Sequence, residues 1–285
     1  MHHPLRPPFL QFRAPGLLGD LMSRVTLSSL RRHKENGERF ARLTAYDARF
    51  ARLIEDAGVE VILVGDSLGN VVQGRETTLP VTMDQMVYHT ACVARGCERA
   101  LIVADLPFMS CATPEDALHN AARLMKEGQA HVVKLEGGAV VLDTVRRLTE
   151  QGIPVCGHLG LLPQSVHKLS GYRVQGRDEV SAEAIVADAR ALAQAGADML
   201  VLESVPAALA RQVAQTVAIP VIGIGAGAEV DAQVLVLYDL LGITPRPPKF
   251  AKDFVAENDS IAEAVAAYVR AVQAGEFPGP EHTFS

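Results

Sequence analysis

The chain has 285 residues, 48% of them hydrophobic, and a net charge of −6. That length allows roughly 75% of the unfolded surface to be buried, and the acidic balance argues against a nucleic-acid partner, which needs a basic stripe. No run of about 18 apolar residues exists to span a membrane. Aromatic residues make up 5% and tryptophan is absent, so stacking platforms for nucleotides are not expected.

Met1 to Gly19 carries Pro4, Pro7, Pro8 and Pro15 with two arginines and no acid. These prolines interrupt the continuous apolar stretch that a secretory signal requires. Residues 1–22 are therefore expected to be a poorly ordered N-terminal extension, with Met22 opening the functional chain, and 23–285 a single domain. Cys92, Cys97, Cys111 and Cys156 have neither C-x-x-C nor zinc-like spacing and are expected to be buried, reduced thiols of a cytoplasmic protein.

From Phe40 onward an apolar strand, a turn and an amphipathic helix recur. The expected strands are Phe40–Tyr46, Val59–Asp66, Ala100–Leu106, His131–Glu136, Ile153–His158, Asp198–Glu203 and Ile219–Gly225, with a short eighth near Leu241–Thr244. Helix starts are marked at Thr82-Met83-Asp84-Gln85 and Thr113-Pro114-Glu115-Asp116, where a hydroxyl precedes an acceptor side chain by three residues. Gly58, Gly96, Gly128, Gly152 and Gly196 stand where helices should stop. A last helix is expected from Asp259 to Ala274. Eight β-α units in about 235 residues fit a closed (β/α)8 TIM barrel of the α/β class better than an open doubly wound sheet.

Three apolar runs stop at acids: Val61–Gly65 at Asp66, Leu101–Ala104 at Asp105 and His131–Leu135 at Glu136. Adjacent strands lie ~4.8 Å apart, so these carboxylates can converge at the C-terminal mouth of the barrel, as a Mg2+-type oxygen site would require. A single carboxylate at a strand end is usually a cap or an ion-pair partner. Three on consecutive strands would repel one another without a cation. Lys134 and Glu136 are two apart and share a side of their strand; they form an internal ion pair, or Lys134 neutralises an anionic substrate. Ser67, in Gly65-Asp66-Ser67-Leu68-Gly69, either caps the next segment or contacts a ligand. Cys156 belongs to an apolar strand and is expected to be inert, while His158 reaches the mouth as a substrate contact or a structural residue. Glu203 closes Met199–Leu202 across the mouth, where a partly desolvated carboxylate suits a general base. Gly223-Ile224-Gly225-Ala226-Gly227-Ala228 is a weak dinucleotide fingerprint without the expected downstream acid. It is better read as a loop after the seventh strand, with amides facing an anion or cosubstrate.

The blocks Leu43–Asp47, Val64–Gly69, Thr78–Thr82, Ala104–Met109, Val133–Gly138, Pro154–Gly160, Val201–Glu203 and Pro220–Gly227, in this order, closely resemble the ketopantoate hydroxymethyltransferase family. The resemblance runs from about Val25 to the C-terminus. It implies a barrel of the phosphoenolpyruvate/pyruvate type, usually decameric, with one Mg2+ per subunit. It further implies transfer of a hydroxymethyl group from 5,10-methylenetetrahydrofolate to 3-methyl-2-oxobutanoate, giving 2-dehydropantoate for pantothenate and coenzyme A synthesis. By this likeness Asp66 and Asp105 bind the metal, with Glu136 joining directly or through water. Asp66, Ser67, Asp105 and Lys134 contact the keto acid, and Glu203 accepts its C3 proton. Ala232 and Tyr238 depart from the family's frequent glycine and histidine, and Pro245–Pro248 is atypical; these fall on later loops, away from the metal cluster. Two alternatives remain. One is a Mg2+-dependent 2-oxo acid lyase, mutase or decarboxylase on the same barrel, although Pro154 and Val155 stand where the lyase loop carries lysines. The other is a non-catalytic metal-binding barrel.

Overall fold

A computed structural model describes residues 24–285, so the expectations for residues 1–22 lie outside the described range. Eight parallel strands follow one another around a closed barrel. They are β1 (Phe40–Thr44), β2 (Val61–Val64), β3 (Leu101–Asp105), β4 (Val132–Glu136), β5 (Val155–Gly160), β6 (Met199–Glu203), β7 (Val221–Ile224) and β8 (Ala232–Leu235). Their residues are apolar on both faces because one face fills the barrel and the other is covered by helices. The barrel closes where Phe40 of β1 pairs with Ala232 of β8.

The eighth strand corrects the sequence expectation. It is Ala232–Leu235, and Leu241–Thr244 follows a short helix, Leu237–Leu240, instead. Gln233 disguises the strand in the sequence. This buried amide lies in a four-residue apolar run and donates to the carbonyl of Gly227 at 2.9 Å, tying β8 to the preceding loop.

The helical layer begins where the caps foretell. Thr82 accepts from the amide of Gln85 in a reciprocal capping box, and Thr113 accepts from Asp116 with Pro114 in the first turn. The C-terminal helix runs Ile261–Ala274 with Ser260 as its cap, two residues later than Asp259. It seals the closing seam of the barrel, because the buried Tyr268 hydroxyl donates to the carbonyls of Arg42 on β1 and Gln233 on β8, both at 2.9 Å.

A helix at Leu27–Asn36 lies against the opposite, N-terminal end of the barrel. Arg31 bonds Asp198, Lys34 bonds Asp231, and the Val25 amide bonds the Arg99 carbonyl. These partners all sit just before strands β6, β8 and β3, so this end is plugged and the other end is left for chemistry.

The candidate active site at the C-terminal mouth

Strand register assembles the site. The β3–β4 register sets Asp105 beside Lys134, and the β4–β5 register sets Glu136 beside His158. Glu203 pairs with Gly160, two residues beyond His158. The acids at the ends of four strands and the Lys134 ammonium therefore line one cavity of about 610 Å³, together with Ser67 and His158.

Lys134 Nζ donates to Asp105 Oδ1 at 2.7 Å, and both side chains are about 95% shielded from water. The other oxygen of Asp105 accepts from the backbone amide of Asp66 at 3.0 Å. Asp66 is buried beside it, and its pKa is raised by burial first and then by the like charges of Asp105 and Glu136. The Glu136 carboxyl is raised by burial, with Lys134 opposing. Burial works against the Lys134 ammonium, yet Asp105, Glu136 and Asp66 outweigh it and hold its pKa above the usual value. One lysine thus faces three mutually repelling, water-excluded carboxylates.

His158 stands between two acids. Its Nδ1 is 3.3 Å from Glu136 and its Nε2 is 3.4 Å from Glu203, but neither contact has hydrogen-bond alignment. Burial, and then the Lys134 charge, lower its pKa and favour the neutral ring. Ser67 heads a short helix, Leu68–Val71, without capping it; its hydroxyl instead lies 2.9 Å from the Tyr46 hydroxyl. Gly65 is needed for close approach, since a Cβ there would sit 2.7 Å from Ser67 Oγ. Tyr238 packs edge-on against Tyr46, with ring centroids 6.0 Å apart.

Sequence reasoning missed Gln164. It lies in the 3-10 turn Pro163–Ser165 after β5. Its side-chain amide donates to Asp66 Oδ2 at 2.8 Å and to the Leu106 carbonyl at 3.0 Å, while its backbone amide donates to Glu136 Oε2 at 3.0 Å. The available signal was a polar residue following Pro163 in a βα loop, the segment type that forms barrel active sites.

Cys156 is fully buried, its thiol pKa is raised by burial, and Arg42 Nη1 approaches its sulfur at 3.7 Å. Among the cysteines Cys97 is also buried, whereas Cys92 and Cys111 are only half-buried, unlike the expectation. Cys92 lies on the helix Met83–Gly96, and Cys111 lies in the loop between β3 and the helix Pro114–Lys126.

The expected Mg2+ can be tested against these donors. Among the described residues no three His, Cys, Asp or Glu side chains form a ready-made metal cage. Mg2+ is usually held by only one or two carboxylates and keeps several waters. Asp66 and Asp105, linked through a backbone amide and short of positive charge, fit that requirement. The oxygens of Glu136 are already turned toward Gln164 and His158.

Residues 24–280 match the family model described as ketopantoate hydroxymethyltransferase. The 3-methyl-2-oxobutanoate hydroxymethyltransferase of Halorhodospira halophila (strain DSM 244 / SL1) is 61% identical over 260 residues, covering 91% of this chain and 94% of that protein. The enzyme of the same name from Marinobacter nauticus (strain ATCC 700491 / DSM 11845 / VT8) is 60% identical, covering 91% and 98%. In fold, the chain is similar to 2,3-dimethylmalate lyase, a PEP mutase/isocitrate lyase superfamily member. The TM-score is 0.55 at 18% identity, with 89% of this chain and 98% of that one covered. Phosphoenolpyruvate phosphomutase from Streptomyces platensis subsp. rosaceus gives a TM-score of 0.58 at 16% identity, covering 76% and 82%. With the barrel, its polar mouth and a match across nearly all described residues, the chain belongs to the ketopantoate hydroxymethyltransferase family.

Proposed function

We propose that this enzyme transfers a hydroxymethyl group from 5,10-methylenetetrahydrofolate to 3-methyl-2-oxobutanoate. Water is consumed, and tetrahydrofolate and 2-dehydropantoate are formed, a step toward pantothenate and coenzyme A. Family membership over residues 24–280 carries the reading, and the clustering of Asp66, Asp105, Lys134, Glu136 and Glu203 in one cavity supports the mechanism proposed for it.

Asp66 and Asp105 are the residues that would hold Mg2+, with Glu136 joining through water. Bound there, Mg2+ would act as a Lewis acid on the 2-oxo acid, a contribution worth several kcal/mol. Lys134 lies beside Asp105 and balances the substrate carboxylate and the negative charge that develops on its carbonyl. Ser67, held by Tyr46, offers its hydroxyl to the substrate. Glu203, the least enclosed of the mouth acids, takes the C3 proton, a role in which a positioned base contributes ~10²–10⁴-fold. Water opens the methylene bridge: both C–N bonds break, its protons pass to the two folate nitrogens, and its oxygen stays on the one-carbon unit as a carbonyl. The deprotonated C3 attacks that carbon, and the alkoxide formed takes back the proton held on Glu203, giving the hydroxymethyl group and free tetrahydrofolate. His158, kept neutral between Glu136 and Glu203, contacts the substrate. Gln164 orients Asp66 and Glu136 from the far side.

The family resemblance also supports a cytoplasmic homodecamer. No helix among the described residues is long and apolar enough to cross a membrane. The deciding experiment incubates purified protein with both substrates, with and without chelator, and measures 2-dehydropantoate. Formation that depends on the divalent ion is expected. Proton exchange at C3 without any folate-dependent product would instead favour a lyase or mutase of the same fold.

A further inference from the structure

The cavity that holds the carboxylates is also lined by two exposed cations, and by one exposed acid, Glu76, from the loop after β2. The cations are Arg246 and Lys249, on the chain that follows the short helix after β8. Both are exposed, and among the described residues neither forms an ion pair. Lys249 Nζ is held by the carbonyl of Thr283 at 2.6 Å and lies 5.3 Å from the centroid of the Phe284 ring. Its charge is fixed in place, with no carboxylate answering it. The buried Phe250 and the half-buried Phe284 line the same cavity. The loop after β7 closes tightly on them: a Cβ on Gly225 would come within 2.6 Å of Phe250 and 3.0 Å of Phe284. The apolar wall is thereby built into the barrel rather than draped over it.

In a chain of net charge −6, two unanswered cations in an acid-floored pocket call for an anionic ligand end. The keto acid brings a single carboxylate, which the proposed site already matches with Lys134. The folate cosubstrate has the right polarity. Its one-carbon unit is at the pterin end, and its glutamate carboxylates are at the other end of a flat aromatic body. We propose that Arg246 and Lys249 anchor the glutamate carboxylates of the folate, with Phe250 and Phe284 walling the ring system. This inference rests on the proposed one-carbon transfer and adds to it the orientation of the cosubstrate.

Binding of tetrahydrofolate and of its glutamate-free analogue tetrahydropteroate, followed by calorimetry, tests it. Wild-type protein should prefer tetrahydrofolate, and additional glutamates should strengthen binding. Exposed charge pairs are individually weak, so Arg246→Ala should weaken tetrahydrofolate about threefold to fivefold and leave tetrahydropteroate nearly unaffected. Arg246→Glu should weaken it further, Arg246→Lys should restore most of the loss, and high salt should erase the preference. In turnover, the change should fall on KM for the folate more than on kcat. Folate binding that is indifferent to the glutamate, or equal losses for both ligands, would overturn the anchor while leaving the one-carbon reaction standing. Wild-type protein that binds no tetrahydrofolate at all would overturn both.

Discussion

Asp105 and Lys134 are lateral partners on adjacent strands, and their side chains meet at 2.7 Å with almost no exposure to water. Asp105 also accepts from the backbone amide of Asp66, so one pair couples the proposed substrate-binding cation to the proposed metal-binding acids. Removing one member of a buried ion pair costs about 3–5 kcal/mol, because the other charge is stranded. Lys134→Met should lower thermal stability by that order and weaken the keto acid, while Mg2+ binding persists on the now more negative floor. Thermal denaturation and separate titrations of metal and keto acid measure the three effects. Keto-acid affinity equal to wild type would remove Lys134 from substrate binding.

Glu203→Gln preserves the shape of the side chain but cannot accept the C3 proton. Keto-acid affinity should stay close to wild type, while exchange of the C3 proton with solvent falls ~10²–10⁴-fold. Proton NMR in deuterated water reads this directly. Undiminished exchange would pass the base role to the neighbouring His158, 3.4 Å away.

Asp66→Asn should act in opposite directions with and without metal. Burial and two neighbouring carboxylates disfavour the Asp66 charge, so the neutral amide should raise the melting temperature in the presence of chelator. The Gln164 contact survives on the retained carbonyl oxygen. Mg2+ affinity should fall about 100-fold or more, beyond the effect expected of second-sphere partners, and keto-acid affinity should fall with it. Unchanged Mg2+ affinity would take Asp66 out of the ligand set.

Glu55 gives a pH test remote from the mouth. Burial pushes its pKa up, but the backbone amides of Ala100, Arg99 and Glu98 outweigh burial and leave it lowered. A carboxyl with a depressed folded pKa adds stability that is complete above its unfolded value, near 4.3, and is lost as pH falls through the folded value. Glu55→Gln should therefore cost about 1–3 kcal/mol at neutral pH. The gap to wild type should narrow as pH drops below about 4.3. A gap independent of pH would mean that the carboxylate charge contributes nothing there.

Much of the barrel was legible because its cues are local. Thr82 and Thr113 cap helices by bonding amides three residues away, and seven strands are apolar runs bounded by turn residues. The eighth was not legible, since four residues containing Gln233 give too little periodicity and the barrel alone requires a strand there. Asp66, Asp105, Lys134, Glu136 and Glu203 could be picked out because each ends or nearly ends an apolar run. Gln164 could not, because its partners are 98 and 28 positions away and no pattern in its own loop announces them.

By itself the sequence determined the alternation of strands and helices, the acids at the strand ends and the family likeness, all carried by residues near one another in the chain. The tertiary structure decided which of those acids share a lysine, that His158 lies between Glu136 and Glu203, and that Tyr268 locks the first strand to the last. Register and closure bring together side chains far apart in the chain, and only packing of the whole barrel fixes register and closure.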